Sequence, residues 1–231
     1  VNSYSYDGHS FADLLAELIK IEELYRLRFI TSHPKDLSDQ LIEVMASNPK
    51  ISKHIHLPLQ SGDSGVLERM NRQYSYEHYQ QLIDKLRKAM PEIAITTDLI
   101  AGFPGESEAQ FQNTLQAMQT IQFDHAFCFK YSNRDGTTAA EFPDQIPESV
   151  RLARLQEMIE LQRSITLNKF QAQIGKEVEI YIEDISKKSE HKISGKTDDY
   201  KIAVVSGDKT QIGSLVKAIV RDATAGTLIC D

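Results

Sequence analysis

Four short stretches collect the side chains that a polar small-molecule site needs: "TSHPKD" at 31–36, "QSGDSG" at 60–65, "GFPGES" at 102–107 and "SNRDGT" at 132–137. Each follows an apolar run and joins Gly or Pro to hydrogen-bonding residues. Any one of them reads as an ordinary turn, because these residues dominate turns for backbone reasons. Four such corners in series shift the reading towards a ligand site at one end of a sheet. The third corner is the most pointed. Its glycines allow close backbone approach, Pro104 stiffens the turn, and Glu106, Ser107 and Glu108 put oxygens where a helix N-terminus wants them. It is either a well-capped turn or one wall of a site.

Single residues carry further chemistry. His54 and His56 lie two apart on an apolar strand and so share a face, as metal ligands can, with His33 and His125 as possible companions. No Cys or carboxylate repeats at ligand spacing beside them, so packed, hydrogen-bonded histidines are the preferred reading. Asp98 is a carboxylate amid an apolar strand, suited either to the amides of the next loop or to a ligand hydroxyl. Arg134 is either a solvated loop charge or an anion or base contact. Lys187, Lys188, Lys192 and Lys196 fall within ten residues, with His191 among them and Tyr181 and Tyr200 nearby. Lysines beside aromatics on a small barrel grip phosphates and stack bases, so RNA contact is favoured over a merely solvated basic turn. No Ser/His/Asp arrangement and no phosphate-type Gly loop is present, which leaves hydrolysis without a visible nucleophile.

The elements that must position these residues alternate. Apolar spacing predicts a helix from Phe11 to Leu24, a strand at "LRFIT", a helix from Leu37 to Ala46 and a strand at "HIHLPL". Helices near 64–71 and 76–90 follow, then a strand at "IAITTDLIAG", a helix from Ser107 to Ile121 and a strand at "HAFCFKYS". Strands separated by helix-length segments imply parallel pairing with helices on the faces, an α/β barrel or doubly wound sheet. A long helix from Glu148 to Phe170 is expected to present Val150, Leu152, Leu155, Met158, Ile159 and Ile165 along one side. Beyond Gly175 five short β-branched runs in about 55 residues fit a small OB-like barrel.

The formal charge of −7 argues against a global positive field for nucleic acid, and all of the excess lies before Asn168: the remainder carries ten Lys/Arg against ten Asp/Glu. No stretch approaches the apolar length of a membrane span and no basic-then-apolar leader opens the chain, so a cytoplasmic protein is expected. Two cysteines, Cys128 and Cys230, can supply neither a disulfide framework nor a three-cysteine iron–sulfur site. The start at Val1 within a Tyr- and Ser-rich stretch suggests a piece of a longer protein.

Taken in order, "VNSY", "RFITSHPKD", "HIHLPLQSGDSGVLERMNRQYS", "TTDLIAGFPGESEAQF" and "FKYSNRDGTTAAEFPDQIPESVRLARL", with the final β segment, resemble the radical S-adenosylmethionine (SAM) methylthiotransferases that modify tRNA. Within them "TSHPKD" and Arg134 resemble the MiaB type, which adds a methylthio group to isopentenylated adenosine beside the anticodon. The resemblance implies part of a (β/α)6 barrel, about four strands of it, over 1–167, followed by a TRAM RNA-binding barrel over 168–231. It implies SAM enclosed by Asp98, Gly102 and the "GFPGE" turn, with Gln60 and Ser61 near its ribose or methionine side and Tyr131 and Ser132 near its adenine. Glu106 stands four after Gly102 where the family's acidic residue stands three after, so the resemblance gives it no contact. Arg134, Lys187, Lys188, Lys192 and Lys196 would meet tRNA at its anticodon stem-loop. The parent would hold two 4Fe-4S clusters and draw on an electron donor.

Against the family's pattern, the cluster-binding cysteine triplets are missing from these residues, so the chain by itself is expected to be inactive, and open barrel edges are expected to favour pairing between chains. The alternatives are the sister enzymes acting on a ribosomal-protein aspartate or on threonylcarbamoyladenosine, and, from other classes, a non-catalytic RNA-binding module or a phosphate-binding barrel enzyme, for which Lys130 offers thin support.

Overall fold

The computed structural model describes residues 1–30, 32–186 and 191–231. A hairpin of β1 (Ser5–Tyr6) and β2 (His9–Ser10) leads into α1 (Phe11–Leu18), and α2 (Asp39–Ser47) follows. Then come β3 (His54–His56), α3 (Ser64–Arg69), α4 (Tyr76–Ala89), β4 (Ala94–Ala101), α5 (Glu108–Ile121) and β5 (His125–Lys130). The long α6 (Glu148–Gln171) leads to β6 (Glu177–Ile185), β7 (Lys192–Thr197), β8 (Ile202–Ser206), β9 (Leu215–Ala223) and β10 (Leu228–Cys230). The first part is a parallel sheet ordered β3-β4-β5 with helices over one face; the second is a closed five-stranded barrel ordered β10-β8-β7-β6-β9. Among the described residues no helix is long and apolar enough to cross a membrane.

Helix starts follow their caps. Ser38, Ser75 and Ser107 each accept the N–H of the third residue beyond, which satisfies a donor the helix leaves orphaned. Alternate residues of β4 pack against the helices: Ile95, Thr97, Leu99 and Ala101 are buried, while Thr96, Asp98 and Ile100 face the open side.

Three expectations need correction. The segment at "LRFIT" forms no regular strand among the described residues: Leu27 bridges Ile51 in parallel and Ser32 N–H donates to His56 O, so three regular strands plus a bridging segment stand where four were expected. Strand β3 ends at His56 rather than at Leu59. Pro58 has no N–H to give, and the register slips by one between His56↔Thr96 and Gln60↔Leu99, taken up by Gln60 at φ 72°. Helix α1 stops at Leu18, before Glu22 and Glu23 would set negative charge at the wrong end of its dipole.

The face of α6 also differs. Val150, Leu152 and Ile159 are exposed, and the buried stripe is Arg154, Met158, Gln162, Ile165, Thr166 and Phe170. Hydrogen bonds choose this face: Gln162 Nε2 donates to Phe123 O at 3.0 Å and Thr166 Oγ1 to Asp124 O at 3.1 Å. The helix bridges both hydrophobic cores, with Met158 and Ile165 in the first and Phe170 in the second.

Candidate functional site

At the end of β4 the chain turns through Gly102 (φ 75°) and Gly105 (φ 79°) into α5. Glu106 folds back into this turn. Its Oε2 accepts Gly102 N–H at 2.7 Å and Arg154 Nη1 at 2.9 Å, with its side chain wholly buried. Burial raises the Glu106 pKa despite the Gly102 N–H and the Arg154 charge. Arg154 Nη2 continues to Glu108 Oε2 at 3.1 Å, and Arg151 Nη1 donates to Tyr131 O at 2.6 Å. A Cβ on Gly102 would run into the Arg151 side chain, and one on Gly105 into Arg69 and Asp144, themselves paired at 2.7 Å. The chain's own arginines therefore occupy the space that these glycines open.

The residues expected around SAM divide in two. Ser61 is wholly buried; its hydroxyl sits 3.3 Å from Thr114 Oγ1 and accepts Asp63 N–H, so it braces the corner instead of facing a cleft. Gly102 is likewise covered by Arg151. Gln60 is 8% exposed and extends the β3 ladder through bonds to Asp98 O and from Ile100 N–H. Tyr131 packs edge-on against Phe103, ring centroids 5.2 Å apart, in an apolar cluster with Val66 and Ile100. Asp98 stands on the open face and Ser132 and Arg134 on exposed loop. Of the four lysines, Lys192 is exposed and its ammonium has no partner among the described residues. Lys196 is held by Tyr200 Oη at 2.6 Å and lies 3.7 Å from Glu183. Lys187 and Lys188 lie outside the described residues.

The opposite end of the sheet carries a constellation that sequence reasoning only touched. Arg28 Nε can only donate, so His54 Nδ1 accepts it at 3.4 Å and the ring proton sits on Nε2, which donates to Thr96 Oγ1 at 3.1 Å. The Thr96 hydroxyl then donates to His56 Nδ1 at 3.0 Å, leaving the His56 proton on Nε2, 3.4 Å from Asp98 Oδ2. Burial, helped by the Arg28 charge, lowers the His54 pKa to about 4, so the ring is neutral at neutral pH. The histidines thus form a hydrogen-bonded chain, and no group of three or more His, Cys, Asp or Glu among the described residues suits a metal ion.

This end is also where the barrel of β6–β10 docks. The Arg28 guanidinium lies 3.0 Å from the Tyr200 ring centre. Ser52 Oγ donates to Asp198 O, and Lys201 reaches Asp124 at 3.3 Å. Asp124 also accepts Lys169 Nζ at 2.6 Å and Ile95 N–H at 3.0 Å. Burial alone would raise its pKa; Lys169 and Lys201 outweigh that and hold the carboxyl below the usual value. A cavity of about 590 Å³ opens at this junction, walled by Phe127, His125, Thr96, Phe170, Tyr200 and Ile202. Arg28, Asp124 and Lys201 went unmarked in the sequence, because isolated charges beside strands carry no spacing signal.

The model of the radical SAM superfamily matches residues 5–118, and that of the TRAM domain matches residues 171–230. The tRNA-2-methylthio-N(6)-dimethylallyladenosine synthase of Carboxydothermus hydrogenoformans is 45% identical over 225 residues, covering 96% of this chain and 51% of the relative. The synthase of Thermoanaerobacter sp. strain X514 is 46% identical over 231 residues, covering 99% and 49%. The chain spans about half the length of the curated relatives it matches. Coproporphyrinogen III oxidase (HemN) from Escherichia coli, a radical SAM enzyme, superposes with a TM-score of 0.54 at 17% identity over 67% of this chain and 37% of that one. That likeness speaks for the fold alone.

Proposed function

The chain belongs to the radical SAM superfamily and carries a TRAM domain, and from that premise we propose that it serves a tRNA methylthiotransferase that places a methylthio group on isopentenylated adenosine beside the anticodon. The observation that carries this reading is identity of 45–46% to synthases of that name over nearly the whole chain. In this reading residues 1–167 are the barrel part and 168–231 grip the RNA.

SAM supplies the methyl group and the radical of such a reaction when bound. Two residues present fit it: the Asp98 carboxylate on the open face suits its hydroxyls and the exposed Ser132 hydroxyl suits its adenine, whereas the Tyr131 ring is buried against Phe103. Gln60 lies beside them, whereas Ser61 and Gly102 act by bracing the corner. The thiols do not fit an iron–sulfur cluster. Cys128 lies on β5 and Cys230 in the other barrel, and burial pushes both thiols up to about 11, which keeps them protonated. No cluster step is therefore assigned to residues of this chain.

Arg134 and Lys192, both exposed, are the RNA contacts this reading favours; Lys196 serves the junction with Tyr200 instead. The test is deletion of the gene in its host followed by mass spectrometry of tRNA nucleosides. Loss of the 2-methylthio form with accumulation of plain isopentenyladenosine is expected; an unchanged nucleoside profile would overturn the reading.

A further inference from the structure

We propose that the junction cavity between the sheet and the TRAM barrel binds a single planar nucleobase, at the end of the sheet opposite the strand-end corners. The inference deepens the proposed function and rests on it in one respect, that the TRAM barrel supplies one wall.

The cavity's place and size are those of a ligand pocket. Such pockets favour domain interfaces and run to roughly 300–1,000 Å³; this one measures about 590 Å³, room for a nucleoside. Its lining has the chemistry of a base. Phe127 sits in the middle of β5 yet is 49% exposed, with the His125 ring 4.7 Å and the His56 ring 6.0 Å from its own. Across the gap the TRAM barrel offers Ile202, 46% exposed, and Tyr200. An apolar slot with aromatic rings on one side suits a flat heterocycle, because every base has a π-face to stack.

Polar groups supply a reading edge and a rim. His125 is exposed, and its ring nitrogens have no hydrogen-bond partner among the described residues, so it can donate to or accept from the edge of a base. His56, Thr96 and His125 lie side by side in register across three strands. The first two are engaged with each other, which leaves His125 as the free member of that row. Arg28 lines the same cavity and brings positive charge to its wall, which suits a phosphate attached to the base. The carboxylates of the lining, Asp124 and Asp199, are paired with Lys201 and so present no bare charge against that phosphate.

The experiment is an NMR titration of the 231-residue chain with adenosine monophosphate, and separately with a short single-stranded oligoribonucleotide, on the unmodified chain and on Phe127→Ala and His125→Ala. Both side chains are exposed, so neither substitution empties the core. Expected are shifts confined to Phe127, His125, Tyr200 and Ile202, with affinity about tenfold lower in Phe127→Ala, the size of one lost base–aromatic stack. If the oligonucleotide produces the same shifts and displaces the monophosphate, the base comes from RNA. If only the monophosphate binds, the pocket stands as a free-nucleotide site while the RNA reading falls. If the oligonucleotide binds without moving Phe127 or His125 and the monophosphate leaves no shifts there, the pocket inference is overturned and the RNA reading stands. Binding of the monophosphate that is indifferent to Phe127→Ala overturns it as well.

Discussion

The two ends of one parallel sheet differ in what they leave free. At the strand ends, Glu106 and Arg154 take up donors and acceptors of the "GFPGE" turn, and the space above its glycines is filled by Arg151, Arg69 and Asp144. At the strand starts, His125 keeps its ring nitrogens unpaired among the described residues beside a cavity, although the docking of the second barrel runs through the same place by way of Arg28 on Tyr200. A glycine-rich corner is therefore not evidence of a vacant wall. It can equally mark a place where arginine stems from a distant helix must pass close to backbone.

The comparison can be broken at either end. The largest effect is expected from Glu106→Ala, which strands a buried Arg154; removing one partner of a buried pair costs about 3–5 kcal/mol, read as a lowered urea midpoint. A loss below about 1 kcal/mol would mean that the corner is not held by this pair.

Next is the pH dependence at the strand starts. His54 takes a proton near its ordinary pKa of about 6.5 when unfolded but only near about 4 when folded. Stability is therefore whole above pH 6.5 and falls as the pH drops towards 4, by about 3 kcal/mol across that window. His54→Gln should flatten that part of the stability curve. Asp124 adds a second loss at lower pH: its folded pKa is depressed, so its contribution holds above the ordinary carboxylate range and fades as the pH falls through the folded value.

Gly102→Ala comes third, at about 2 kcal/mol for a Cβ at positive φ against Arg151. Adding Arg151→Ala should recover part of that loss. If Gly102→Ala leaves stability unchanged yet abolishes SAM binding by calorimetry, the turn is a ligand wall after all. The smallest effect is Lys192→Ala, expected to weaken RNA evenly across sequences and to lower the salt slope by about one; an unaltered slope removes Lys192 from the interface.

How much of this was legible follows from the range of each interaction. The boundaries of α4 and α5 came within about a residue, because Ser75 and Ser107 cap locally and the apolar period is local too. The five short runs of the tail closed into the barrel that their β-branched residues and turns suggested. Strand β3 was read too long because "LPL" after His56 is apolar, and only Pro58 marked its end. The buried face of α6 was only half read: Met158 and Ile165 are buried as expected, but Arg154, Gln162 and Thr166 are polar and their partners lie about forty or more residues away. For the same reason the third corner was legible as a turn but not as one closed by its own arginines. His54 and His56 were correctly preferred as hydrogen-bonded histidines; their link through Thr96 required the register of two strands.

The measurement that bears most directly on the account is fluorescence anisotropy of a labelled anticodon stem-loop carrying isopentenyladenosine, titrated with this chain against an unrelated stem-loop of equal length and charge. The account predicts tighter binding of the anticodon stem-loop, weakening as salt rises. Equal binding of the two RNAs, or none, would contradict it.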